Sequence, residues 1–238
     1  MNHWIKTIGG YLQALLHLFY PHICLQCGMD ELRKKQIICD TCEASLPFTH
    51  FEQLQNNPIE KIFWGRVSIK NATAVLYFTK ESIVQKIIFE LKYKQNKKAG
   101  YLLGRLMAIE LLNNKKFKEI DYLIPIPISK SKIKKRGFNQ SLLICESMVA
   151  SSYHVPIFTG LLKSKAATTQ THKDRLQRAA QTSSLFSVTQ LAQLKGKHLL
   201  IIDDVITTGA TLEAACHCLL EAQPASIQIA TAAYTYHS

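Results

Sequence analysis

The chain has 238 residues, 47% of them hydrophobic and 19% charged. That balance excludes long disorder and leaves room for one large domain, or a medium domain with a small appendage. Its 29 Lys+Arg against 17 Asp+Glu give a formal charge of +12, which attracts nucleic acid, phosphorylated metabolites or an anionic membrane surface without choosing among them. No apolar run reaches the ~18 residues of a membrane span, so no transmembrane segment is expected.

The first stretch, WIKTIGGYLQALLHLFYPHIC, carries Ile8, Tyr11, Leu12, Leu15, Leu16 and Phe19 at helical spacing, interrupted by Gly9, Gly10, Gln13 and His17. It lacks a small-residue cleavage site, which argues against a signal peptide. A short amphipathic helix docked on its own domain is expected, with membrane-surface attachment the lesser alternative.

Four of the seven cysteines follow as CLQC and CDTC: Cys24, Cys27, Cys39 and Cys42. A two-residue gap lets both thiolates of a pair reach one ion, and a second pair completes a tetrahedral sulfur shell. Gly28 suits the tight turn of such a knuckle. Structural Zn2+ is the expectation. An iron–sulfur cluster uses the same ligands, and two disulfides would need an oxidising compartment that no export signal promises. A cytoplasmic location is expected. Cys145, Cys216 and Cys218 sit in apolar helical patterns, as small buried hydrophobes. The helix and cysteine module take residues 1–48, and the polar FTHFEQLQNNPIE marks a connecting segment, 49–71.

From residue 72 strands and helices alternate. Strands are expected at 72–78, 121–128, 198–203 and 226–235, and helices at 81–94, 100–112, 139–152 and 211–223. Continuous apolar strands separated by helices imply an α/β body, 72–238, with a mostly parallel sheet covered on both faces. Ligands of such sheets bind at the carboxyl ends of the strands. There lies HLLIIDDVITTGATLEAACHCLL, His198 to Leu220. Adjacent strand residues point to opposite faces, so Asp203 and Asp204 converge on one ligand only if the strand has ended, as VITTGAT suggests. Two carboxylates there can accept hydrogen bonds from sugar hydroxyls, directly or through a magnesium shell. Thr207, Thr208, Gly209, Ala210 and Thr211 lead into a helix N-terminus, a phosphate site. A phosphorylated ribose fits both halves. The lysine of an NTPase phosphate loop is missing.

This segment closely resembles the phosphoribosyl-pyrophosphate (PRPP) signature of type I phosphoribosyltransferases. With IPIP, RGFNQSLLICESMV and the four-cysteine module, the chain resembles the ComF family over about residues 20–235. The resemblance implies a zinc module followed by a type I phosphoribosyltransferase-like domain, PRPP bound with Mg2+, and a role in DNA uptake during bacterial competence. It also implies that the loop after IPIP contacts pyrophosphate. Lys130, Lys132, Lys134, Lys135 and Arg136 supply its charge, with Arg136 the best single ligand because its planar fork grips phosphate. Gly137 is expected to shape the turn and Asn139 to cap the helix. By position, residues 161–186 resemble the mobile hood of that fold. Gln170 and Arg178 keep the family pattern there, whereas Lys163, Ala167 and Gln181 depart from it. Lys92 in ELKYK is family-like, or a helix-surface charge.

Three functions compete. An enzyme would transfer the ribosyl group, with Asp203, Asp204 and Arg136 in the catalytic site. A competence factor would bind single-stranded DNA under PRPP regulation, using Tyr93 and Phe138 among lysines for stacking, unless those rings are core. A zinc-dependent adaptor would contact competence-machinery proteins such as a DNA translocase.

Overall fold

The computed structural model describes residues 23–29, 32–33, 36–164 and 185–235. The expected amphipathic helix before Ile23 lies outside them, as do Lys165, Ala167, Gln170, Arg178 and Gln181. The chain divides between Leu46 and Pro47 into two compact units. The first holds the four cysteines and a short helix α1 (Asp40–Ala44) that starts just after Cys39.

The second unit is built on four parallel strands in the order β1-β6-β5-β2: β1 (Asn71–Phe78), β6 (Ser226–Thr235), β5 (His198–Ile206) and β2 (Tyr122–Pro125). In β5 the run Leu199–Ile202 is fully buried, as an apolar strand covered on both faces must be. Leu199 and Ile201 join one core layer with Ile227 and Ile229 of β6 and with Leu212, Ala215 and Leu219 of helix α7 (Ala210–Leu220). By alternation Leu200 and Ile202 face the other way, where α3 (Ile83–Tyr93), α4 (Lys97–Leu112) and α6 (Gln140–Ala150) pack on the sheet and on one another. Helices α4 and α6 approach very closely. A Cβ at Gly104 would meet the Ile144 carbonyl and the Ser147 Cβ, both at 2.5 Å, so only glycine fits there. The helices and strands of this unit lie within a few residues of the expected bounds.

Two stretches differ from expectation. β5 runs through both aspartates to Ile206, because Thr231, Ala233 and Tyr234 of β6 keep pairing with Asp203, Val205 and Ile206. The basic stretch after β2 is not an open loop but a helix, α5 (Lys130–Arg136), capped by the Ser129 side chain and ended by Gly137 at φ +80°. The stop at Gly137 and the Asn139 cap on α6, through Ser141 N–H, are as expected.

Within the expected connecting segment, a 3-10 turn (Phe51–Gln53) and α2 (Pro58–Phe63) put Phe51, Ile59 and Phe63 into the α7-side core. Asn57 closes a capping box on α2, and its side chain donates to the Ala72 carbonyl at 2.8 Å, tying the segment to β1. Strands β3 (Leu161–Lys163) and β4 (Phe186–Val188) pair antiparallel at the two ends of the expected hood. Among the described residues no helix is long and apolar enough to cross a membrane.

Candidate functional site

In the first unit the four sulfurs lie within 4.8 Å of one another. Cys24 accepts from the Cys39 amide at 3.3 Å, and Gly28, at φ +74°, closes the turn by donating to the Cys24 carbonyl at 2.9 Å. The Cys27 and Cys39 sulfurs are 3.7 Å apart, close to the ~3.8 Å edge of a tetrahedron with 2.3 Å metal–sulfur bonds. Burial raises the Cys24 thiol, but amide donors at Cys27, Cys39 and Gln26 outweigh it and lower the group to about 6. Burial, with the neighbouring sulfurs, pushes Cys42 up to about 12. Four crowded sulfurs cannot all ionise without a cation, and the set fits one tetrahedral thiophilic ion. The other three cysteines are buried and free, as expected.

In the second unit the parallel strands deliver Asp203 and Asp204 to one end of the sheet. They turn to different partners, as the unbroken strand dictates. Asp204, 7% exposed, pairs with Lys92 Nζ of α3 at 2.8 Å, so Lys92 is no surface charge. Asp203 accepts from Ser141 Oγ of α6 at 2.9 Å and from the Asp204 amide at 2.8 Å. Burial first, and the Asp204 charge second, push Asp203 up to about 7.

Beyond β5, Thr207 to Thr211 line a small concavity with Asp203 and Leu212. Gly209 sits at φ +74° as the N-cap of α7, and no side chain caps the helix. The first amides of α7 therefore lack an intrahelical partner and face the position where an anion is most stabilised. Glycine is required twice: by its backbone, and because a Cβ would meet Ile62 Cγ2 of α2 at 2.6 Å.

The five cations of α5 do not act together. A helix sets side chains about 100° apart, and Lys130, Lys132, Lys134 and Lys135 are all exposed. Arg136 donates to Gln140 Oε1 at 2.9 Å and lies over the Tyr93 ring, 6.0 Å from its centroid. Lys163 of β3 is the basic group tuned by the acids. Burial lowers it, the Lys132 charge lowers it further, and Asp203 raises it. Lys163 thus feels both Lys132 of α5 and Asp203 of β5, a grouping across three elements with no local signature in sequence.

Arg66 also has no such signature. It lies in the expected connection, yet its Nη1 donates to the Thr208 carbonyl at 3.0 Å and its Nη2 pairs with Glu213 of α7. With Ile62 behind Gly209, Arg66 braces the Thr-Gly loop from the side away from the strands' apolar run.

Residues 147–238 match the phosphoribosyl transferase domain. The DNA utilization protein YhgH of Escherichia coli O157:H7 is 26% identical over 228 residues, 89% of this chain and 96% of that protein. Competence protein ComFC of Bacillus subtilis is 37% identical over 99 residues, 42% of this chain and 38% of that protein. Among solved structures, a glutamine PRPP amidotransferase from B. subtilis, complexed with ADP and GMP, gives a TM-score of 0.44 at 18% identity. It covers 60% of this chain and 30% of its own.

Two outcomes are expected. Removing the brace by Arg66→Ala should speed amide hydrogen exchange at Thr207–Thr211 and cost about 1 kcal/mol of stability. Exchange no faster than in the wild type would show the loop to be held by other contacts. Asp203, near 7 when folded and ~3.9 when unfolded, binds more protons in the folded state between those values. Stability should therefore fall as pH rises from about 4 to 7. Melting temperatures of wild type and Asp203→Asn measured across that range check it, since the variant lacks this component of the slope.

Proposed function

We propose, from the premise that the chain is a ComF-family protein carrying a phosphoribosyltransferase-like domain, that it binds PRPP with Mg2+ and serves DNA uptake or utilisation. The observation that supports this most is the passage from β5 into α7. Two carboxylates at the end of a buried strand are followed directly by a side-chain-uncapped helix N-terminus around an obligatory glycine.

In this reading the Thr207–Thr211 amides and hydroxyls hold the 5′-phosphate. Asp203 and Asp204 accept from the ribose hydroxyls. Lys92 pairs with Asp204, and Ser141 donates to Asp203 and fixes its rotamer. Lys132 and Lys163 neutralise the pyrophosphate, with Arg136 reaching it only by leaving Gln140 and Tyr93. Magnesium, when bound with PRPP, would offset pyrophosphate charge, and the aspartates are the groups suited to its water shell. Ribosyl transfer further requires an acceptor. Zinc is the ion we assign to Cys24, Cys27, Cys39 and Cys42. Four thiolates leave no open position, so its role is structural, and a cytoplasmic setting keeps the thiols reduced.

A specific observation favours single-stranded DNA as a second ligand. Tyr93, 57% exposed, is not core. It lies beside Phe89, centroids 5.2 Å apart, under the Arg136 guanidinium. Lys97 stands 5.9 Å over the half-buried Phe138 ring. Aromatic faces interleaved with cations suit stacked bases and phosphates.

Calorimetric titration of the full-length protein with PRPP and Mg2+ tests the first reading. Binding should weaken at least tenfold in Asp203→Asn/Asp204→Asn. A folded wild type that takes up no PRPP removes the reading, and the same protein binding an oligonucleotide with steep salt dependence leaves the second. Elemental analysis should give one zinc per chain, lost in Cys39→Ser, whereas iron and sulfide would overturn the zinc assignment.

A further inference from the structure

We propose that His50, Glu52 and Glu110 form a second cation site, taking a divalent first-row metal such as Mn2+, Fe2+ or Zn2+. The site contains no residue of the cysteine cluster or of the Asp203–Thr211 loop. One ligand atom from each residue lies within 4.8 Å of the others. His50 Nδ1 is 3.9 Å from Glu52 Oε1 and 3.6 Å from Glu110 Oε2. Both distances exceed hydrogen-bond range. Three ligand atoms each about 2.0–2.2 Å from one ion would stand roughly 3–3.7 Å apart; His50–Glu110 already has that spacing, and His50–Glu52 exceeds it by a few tenths of an ångström.

The setting supplies an independent reason. The Glu52 side chain is only 3% exposed, and the ionisable base beside it among the described residues is His50, whose ring is largely in solvent. A buried carboxylate is costly unless a cation or donors meet it. Glu110 adds a second negative charge, and it stands in the last turn of α4, which carries no basic residue. A helix C-terminus disfavours a carboxylate. Two acids and a helix end therefore concentrate negative potential at one point.

The ligands are held for the purpose. His50 adopts φ +53° at the N-cap of the 51–53 turn, a left-handed conformation uncommon for a non-glycine residue. Phe48 stacks on that ring at 5.9 Å. Asn114 Nδ2 donates to the Glu52 carbonyl at 2.7 Å and pins the turn. One imidazole nitrogen with two carboxylates suits borderline and hard divalent ions rather than soft ones. Three ligands leave positions for water on the exposed His50 side. The bound ion would clip the 50–53 turn to the end of α4.

Manganese probes the site without competing for four thiolates. Zinc-loaded, full-length protein is titrated with Mn2+, and free Mn2+ is followed by electron paramagnetic resonance. One site per chain is expected that survives Asp203→Asn/Asp204→Asn. It should weaken at least tenfold in His50→Ala and again in the milder Glu110→Gln, with circular dichroism and zinc content unchanged. Mn2+ should also raise the melting temperature of the wild type but not of His50→Ala. Binding lost with the aspartates and kept in His50→Ala would assign the ion to the phosphate loop and overturn the proposal. No binding by the wild type would also overturn it.

Discussion

The Asp204–Lys92 ion pair is the constraint around which the second unit is arranged. β5 is apolar from Leu199 to Ile202 and then carries a charge where only 7% of the residue reaches solvent. A carboxylate left unpaired there costs several kcal/mol. Lys92 must therefore arrive from α3, and Ser141 from α6 must satisfy the neighbouring acid. The α3–α4–α6 layer has to sit close enough to the sheet to deliver both. The small Gly104, which lets α4 lie against the Ile144 backbone, permits that closeness. A packing detail between two helices thus sets where two side chains meet the end of a strand.

The opposite side of the loop obeys a different constraint. A helix N-terminus attracts anions only while its amides are uncapped and its loop keeps its shape. No side chain caps α7, so shape must come from outside the loop. Ile62 packs where a Gly209 side chain would stand, and Arg66 ties Thr208 to Glu213. The stretch between the cysteine module and the sheet is in this sense part of the site. The same stretch carries His50 and Glu52, so one segment braces the loop and gathers a second set of ligands.

Charge is distributed unevenly in consequence. Among the described residues the basic charge of α5 does not pool at the acids, because the helix spreads its lysines around its axis and turns Arg136 onto Tyr93. Among the described residues, the cations in the field of Asp203 are Lys92 and Lys163, drawn from two elements. Buried acids with a few well-placed cations favour a small polyanion that brings its own divalent ion. The exposed rings beside Arg136 and Lys97 favour a longer polymer nearby.

Local sequence was enough for what depends on local physics. The cysteine spacing, the period-2 and period-3.6 apolar patterns, the glycine before α7 and the Asn139 cap are each decided within a few residues, and each could be seen in the chain alone. So could the layout of DDVITTGAT, because a carboxylate pair and a helix start are adjacent in sequence as well as in space. The extent of β5 was not legible, since pairing with β6 carries it through Asp203 and Asp204 past the point where composition suggests a loop. Nor was the pairing of Lys92 with Asp204, of Arg66 with Thr208 and Glu213, or of His50 with Glu110. Those partners stand far apart along the chain, and only the fold brings them together. An isolated lysine, arginine or histidine reads as a surface charge until the fold removes the water around it. Only the tertiary structure decides which charges lose that water, and Lys92 and Asp204 are the pair that do.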